Sequence, residues 1–333
     1  MKPIVTLLSA ALFALATGLA QAGSLLNASY DVARSLYQDL NPAFAAQWKQ
    51  QTGETVTIEQ SHGGSGKQAR AVIDGLPADV VTMNNPLDID AIAAAGLLAK
   101  DWAQRLPHQS SPSWSAIVFV VRKGNPLGIH DWPDLVRSGV QVVLPNPKTS
   151  GNGRYSYLAA WQFARTRPGA SDTDSIEFEK RLFANVPVLD TGGRDATATF
   201  VQRHIGDVLL TFESEGRLIA ANFAADGYEI VRPSLTVRAD NPVAVVDQVA
   251  GHKGNTRLAA AYLQFHYSAQ AQEIFMRNGL RPADPAALRG HEAEFPPLQA
   301  FEVGADFGGW QRVQALHFAE GGIYDQVVVR GSK

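Results

Sequence analysis

The chain has 333 residues, 45% of them hydrophobic and 18% charged, with 29 basic against 32 acidic side chains and a net charge of −3. That length suits two compact lobes, and the composition excludes a disordered or fibrous chain. With no cysteine there is no disulfide framework, thiolate metal site or cysteine nucleophile, and the lack of basic excess argues against nucleic acid as a partner.

Residues 1–22 stand apart. Lys2 precedes an almost wholly apolar run from Ile4 to Ala20, and Ala20-Gln21-Ala22 has the small-x-small pattern of a cleavage site. The run is short for a membrane span, so it predicts a secretory signal peptide with a mature chain from about Gly23. Its removal takes Lys2 and no acid, leaving 28 basic residues against 32 acidic ones. A mildly acidic chain has no global field for anions, so an anionic ligand would have to be held by local geometry.

From residue 25 the chain alternates short strands and helices. Strands are expected at 25–29, 55–59 and 78–82, with helices from Val32 (Leu36, Leu40, Phe44 and Trp48 at helical spacing), at 67–73 and at 87–95. Pro42 predicts a kink or restart in the first helix. After Ser110-Ser111-Pro112 come strands at 116–121 and 140–144 and helices at 132–136, 155–164 and 176–183. An extended stretch at 186–189 and a helix at 196–203 come next, then strands at 207–212 and 228–231. From Asn255 the pattern is helical, with a last helix over 310–319. There is no internal repeat. The alternation predicts an α/β fold of two lobes, with mostly parallel sheets, helices on both faces and a ligand cleft between the lobes. Crossings near 107–114 and 233–243 divide the chain into 23–110 plus 243–333 as lobe I and 111–242 as lobe II.

Four segments share one design, a strand, a loop of small, hydroxyl or acidic residues, then a helix. They are Ser29-Tyr30-Asp31-Val32, Ser61-His62-Gly63-Gly64-Ser65-Gly66-Lys67, Thr149-Ser150-Gly151-Asn152-Gly153-Arg154 and Thr191-Gly192-Gly193-Arg194-Asp195. A helix start leaves N–H groups unpaired at the positive end of the dipole, and glycine and serine let an anion come close to them. Lys67, Arg154 and Arg194 fall in expected first turns, where a cation is unfavourable unless an anion binds there. A pocket of donors suits the fully ionised sulfate and thiosulfate, whereas hydrogen phosphate needs an acceptor. Asp31 keeps phosphate open: as an N-cap its carboxylate faces its own helix, but pointing into the cleft it would be an acceptor.

Other motifs fail. Ser65 lacks the glycine two residues on that a nucleophile elbow needs, since Lys67 is there. A P-loop is excluded by Ser61 and Gln68 at its fixed positions. The eight histidines show no i, i+3 or i, i+4 pair, so neither a metal nor another cofactor is expected. His62 reads as a packing residue rather than a base. Asn27-Ala28-Ser29 fits a glycosylation acceptor but lies in an expected buried strand.

At these loops the chain resembles the periplasmic sulfate- and thiosulfate-binding proteins of bacterial ABC importers. The likeness includes Leu25-Leu26-Asn27-Ala28-Ser29-Tyr30-Asp31, Gln60 to Gln68, Val121-Arg122-Lys123-Gly124-Asn125-Pro126, Pro145 to Gly151 and Phe307-Gly308-Gly309-Trp310. The resemblance implies a type II periplasmic-binding fold, a periplasmic location, two lobes closing on a dehydrated anion, a monomeric shuttle, and delivery to a membrane permease. It also implies that Asp31, Ser65, Ser150, Gly151, Asn152 and Gly193 hold the ligand through backbone N–H groups and a serine hydroxyl. Phe212 stands where a sulfate-selective relative has a tryptophan, so an indole donor is missing or a larger sulfur packs against the ring. Asp195 replaces a usual glycine beside the site. Two alternatives stand beside this reading: a binding protein for phosphate or molybdate, and a secreted ester hydrolase using Ser65.

Overall fold

The computed structural model describes residues 23–328, so the expected signal peptide lies outside the described residues. Strands β1 (Gly23–Tyr30), β2 (Val56–Gly63) and β3 (Val80–Thr82) alternate with helices α1 (Arg34–Thr52), α2 (Ser65–Ile73) and α3 (Pro86–Ala94). With β10 (Val243–Val245) they build a first sheet of order β10-β3-β1-β2, in which β1 runs parallel to both neighbours. Central β1 is covered on both faces, and Leu25, Ala28, Ser29 and Tyr30 are buried, as a parallel strand between helices must be. Register fixes where the loops emerge. Tyr30 pairs with Gly63 and Ser29 with Thr82, so the three strands end level, and their outgoing loops leave from one edge.

The second sheet repeats this arrangement with β5 (Val142–Pro145), β6 (Leu189–Asp190) and β7 (Val208–Phe212). These feed α4 (Gly151–Arg165) and α5 (Asp172–Ala184), α6 (Gly193–Val201) and α7 (Glu213–Asn222) respectively. β5 is parallel to β6 and β7, with Pro145 opposite Asp190. The long strand β4 (Ser113–Val121) runs antiparallel to β7, and it also pairs with β8 (Glu229–Val231) and β9 (Thr236–Asp240). α1 buries Leu36, Tyr37, Leu40, Phe44 and Trp48 at the expected spacing, but it runs unbroken through Pro42. Gln38, whose carbonyl loses its i+4 donor to Pro42, is exposed, so water can take the missing bond.

Among the elements that escaped the sequence pattern are α7 and β9. α7 is masked by Gly216 and two buried glutamates. Gly216 lets the helix lie against β4, since a Cβ there would be 3.2 Å from Val120. Glu213 is buried because Arg281 (2.7 Å) and Arg232 (3.1 Å) both pair with it. β9 occupies part of the expected second crossing. The second crossing is therefore only Asn241-Pro242, because β10 (Val243–Val245) already pairs antiparallel with β3. The first crossing, expected near 107–114, contains a left-handed turn at His108, Gln109 and Ser110, with φ of 53°, 54° and 57°. Ser110 Oγ fastens this turn by donating to the Trp102 carbonyl at 2.8 Å.

Helices α8 (Thr256–Phe265) and α9 (Ala269–Arg277) cover the first sheet, with α9 against α1. The sequence expectation places all of 243–333 in lobe I. In the structure β11 (Arg281–Pro282) and β12 (Ala300–Phe301) pair instead with β4 and β9 of the second sheet. Lys148 binds Asp325 at 2.8 Å and the carbonyls of Phe318 and Ala319, holding the last turns against that lobe.

Beneath α1, His266 is fully buried among Tyr37, Tyr262 and Phe275. Its Nδ1 meets the Tyr262 carbonyl at 2.8 Å, and its Nε2 has no partner among the described residues. Burial lowers its pKa from 6.5 to about 4. The folded value lies below the unfolded one, so the neutral ring contributes stability above pH 6.5, and that contribution is lost as pH falls toward 4. His266→Gln removes this dependence. In urea titrations the stability advantage of the parent over the variant should shrink by up to about 1.4 kcal/mol per pH unit on acidification. An advantage independent of pH would contradict the assignment.

Candidate functional site

The level strand ends place Asp31, Gly64-Ser65 and Asn84 at the edge of the first sheet. Ser150-Gly151-Asn152, Gly192-Gly193 and Phe212 stand at the edge of the second. The two edges face each other and touch. A Cβ on Gly64 would fall 2.8 Å from the Thr149 carbonyl and 2.9 Å from that of Thr191, both on the opposite lobe. One on Gly193 would be 3.0 Å from Val32 and 3.2 Å from Asn152 Nδ2. One on Gly151 would overlap the Asn84 carboxamide. At Gly64 the approach of the lobes, not backbone angle, requires glycine, whereas at Gly151 and Gly193 a methyl group would press on side chains that would have to shift.

Three helices begin in this contact zone: α2 after Gly64, α4 after Ser150 and α6 after Gly192. Each lacks a side-chain cap. Side-chain caps occur at α3, beside this zone, and at α5, away from it, while α1, α7 and α8 also lack them. Asn85 accepts from Leu87 N–H at α3, and Ser171 with Asp174 forms a capping box at α5. Ser150 is an N-cap serine, 1% exposed, whose hydroxyl does not cap; its own N–H bonds Asn146 O at 2.9 Å. Ser65 is fully buried, and its Oγ accepts from Asn84 N–H at 3.5 Å. Buried helix starts without partners are costly unless a ligand supplies the acceptor. The N–H groups at the heads of α2 and α4 and that of Gly193 in α6, with the Ser65 and Ser150 hydroxyls, make the zone a donor cluster with a positive dipole field, while the Arg194 N–H of α6 is taken by Asp31.

The charged side chains are already paired. Asp31 Oδ1 accepts from Val32 N–H at 3.0 Å, and Oδ2 reaches across the lobes to Arg194 N–H at 2.9 Å. Burial raises its pKa, and the bonds from Arg194 and Val32 oppose the rise. The carboxylate therefore serves neither its own helix alone nor a ligand. The three first-turn cations also differ from expectation. Arg154 binds Asp88 at 2.8 Å in a buried pair between lobes, with Nε on the Pro147 carbonyl. Arg194 lies 3.4 Å from buried Glu215 and donates to the Val32 carbonyl. Lys67 is exposed beside an open flank cavity of about 630 Å³ shared with Arg70 and Lys148. Protein carboxylates and solvent, not a bound anion, thus resolve the conflict with the dipole. Burial raises the Glu215 pKa against the lowering effect of Arg194 and the Thr197 hydroxyl.

Asp195 also finds a place. It is exposed, accepts from the Thr191 hydroxyl at 2.6 Å, and sits in the first turn of α6, where an acid is favourable. Asn152 Nδ2 donates to Thr211 Oγ1 at 3.1 Å, leaving its backbone at the helix start. Phe212 follows Thr211, 1% exposed, with its ring edge-on to Tyr155 at 6.1 Å. His62 packs near Tyr37, at 6.5 Å between ring centres, and the Ser65 hydroxyl meets Asn84 rather than His62. Burial and the Arg34 charge lower its pKa to about 4. Sequence reasoning missed Asn84 and Asp88. The loop Asn84-Asn85-Pro86 follows a strand and precedes a helix as the other four do, but it has no glycine or serine to mark it.

Two α/β lobes whose strand ends meet over unpaired helix starts describe a protein that closes on a solute. The model of the bacterial extracellular solute-binding protein family matches residues 31–281. A thiosulfate-binding protein of Pseudomonas aeruginosa is 53% identical over 94% of this chain and 96% of its own length. A sulfate-binding protein of Escherichia coli K12 is 50% identical over 92% of this chain and 93% of its own. The solved sulfate-binding protein SubI of Mycobacterium tuberculosis superposes with a TM-score of 0.78 at 34% identity, covering 88% of this chain and 98% of its own. The chain belongs to the bacterial extracellular solute-binding proteins, in the group of sulfate- and thiosulfate-binding proteins. Its fold is accordingly the two-lobed type II periplasmic-binding fold.

Gly64→Ala tests the closed contact. The new Cβ would meet two backbone carbonyls of the other lobe that cannot rotate away. The expected outcome is a folded protein, by circular dichroism, that scatters X-rays with a larger radius of gyration under saturating anion than the parent does. An equally compact variant would show that Gly64 does not limit closure.

Proposed function

We propose that the protein binds sulfate or thiosulfate between its lobes and delivers it to the membrane permease of an ABC importer. The observation that carries this reading is the meeting of three buried helix starts from opposite lobes, none capped by its own N-cap side chain, at two facing strand edges. Asp31, Gly151, Asn152 and Gly193 offer backbone N–H groups, Ser65 and Ser150 add hydroxyls, and Phe212 walls the pocket. Relatives named for sulfate and for thiosulfate are similar at 50% and 53% identity, which supports the class of ligand rather than one of the two. Phosphate fits less well, because Asp31 is turned to the N–H groups of Val32 and Arg194, and a site built mainly of donors favours a ligand that only accepts. A hydrolase using Ser65 lacks a partnered base, since the Ser65 hydroxyl meets Asn84 N–H and not His62.

The remaining parts of the reading fit a shuttle. The leader precedes an exported, periplasmic chain that works as a monomer. Lobe I is 23–110 with 243–280, and lobe II is 111–242 with 281–328.

Calorimetric titration of one sample with sulfate, thiosulfate, phosphate and molybdate tests the proposal. Sulfate or thiosulfate should bind at least tenfold more tightly than phosphate. Ser150→Ala removes one donor to an ionised ligand, about 1.5–3 kcal/mol, and should weaken binding roughly 10- to 100-fold. Tighter binding of phosphate or molybdate, or unchanged affinity in Ser150→Ala, would contradict it.

A further inference from the structure

Asn84 stands two residues beyond β3, 2% exposed, between the heads of α2 and α4 from opposite lobes. Its backbone N–H donates to Ser65 Oγ at 3.5 Å. Its carboxamide lies against Gly151: a Cβ there would fall 1.9 Å from Oδ1, 2.8 Å from Cγ and 3.2 Å from Nδ2. Despite this burial, Oδ1 finds no donor among the described residues. Asn85 next door shows the ordinary use of such a group, with its oxygen accepting from Leu87 N–H at 2.9 Å.

The space for the Asn84 amide exists only because residue 151 has no side chain. It is filled by a polar group whose oxygen gains no bond from the fold, where a methyl or isopropyl group would avoid the desolvation cost. A buried amide at the meeting point of two donor-rich helix heads belongs to the ligand rather than to the scaffold. We propose that Asn84 is a further ligand-contacting residue, whose carboxamide turns about Cβ–Cγ to donate an Nδ2–H bond to the anion beside Gly151 and Ser65. This rests on the anion-binding reading above. It adds a neutral side-chain donor to a site otherwise made of amides and hydroxyls, on the first-sheet side of the cleft. Because the group carries an acceptor as well, its orientation bears directly on whether a proton-bearing oxoanion is accepted.

The test compares the parent, Asn84→Ala and Asn84→Asp, titrated with sulfate, thiosulfate and phosphate. Asn84→Ala should bind sulfate and thiosulfate about 10- to 100-fold more weakly. Asn84→Asp, the same shape with no donor and a negative charge, should be weaker still. Without added anion, Asn84→Ala should unfold at a temperature no lower than the parent, because the fold draws no bond from the amide oxygen; a structural role predicts a drop. Unchanged affinity in Asn84→Ala overturns the proposal, as does a loss confined to phosphate, which would mean that the oxygen faces the ligand. A parent that binds neither sulfur anion sinks the underlying reading instead, so the two failures are distinguishable.

Discussion

The structure depends on peptide N–H groups left unpaired in a dry place. A helix that begins in solvent loses little if its first amides go uncapped, since water serves them. One that begins at a buried interface between lobes does lose, and this chain starts three helices there. The level register of β1, β2 and β3, and of β5 with β6, brings those starts to two facing edges. Gly64 then allows an approach to two opposite carbonyls that any side chain would forbid, and Gly151 and Gly193 leave room for the Asn84 and Val32 side chains. Sheet register, glycine placement and missing caps serve one arrangement.

The charged residues around it support that arrangement by cancelling one another. Arg154 with Asp88 and Arg194 with Glu215 are buried or half-buried pairs, and Asp31 is held by two N–H groups from different lobes. A lone buried charge in such a place would be expensive. Pairs that span the lobes, as Asp88 with Arg154 does, are whole only when the lobes meet, so they favour the closed form.

Much of this was legible in the sequence. The strand–loop–helix units declared themselves by apolar runs broken at glycine and serine, and the four loops so marked do converge. What stayed hidden was written in residues that look unsuitable. α7 begins with glutamates and contains Gly216, and only the distant Arg232 and Arg281 make Glu213 a core residue. β9 carries Arg238 and Asp240 in a stretch that reads as a linker, yet it lies beside the central strand β4. Asn84 and Asp88 sit in a loop and helix without glycine, and their place at the site comes from tertiary contact with Gly151 and Arg154. Pro42 misled in the opposite direction, because the carbonyl it leaves without a donor belongs to solvent-exposed Gln38, which spares the helix the break that a buried proline would cause.

Holding a guest by oriented amides rather than by free cations has a consequence for the rate of capture. A doubly negative ion approaching a chain of net charge −3 meets repulsion at long range, and the helix-start field attracts it only at the end of the journey. Dissolved salt shortens the reach of that repulsion to about 10 Å at 0.1 M, while the contacts inside the dry pocket are barely screened. Rising ionic strength therefore speeds association and leaves escape almost unchanged, the reverse of what a lysine-lined trap would do.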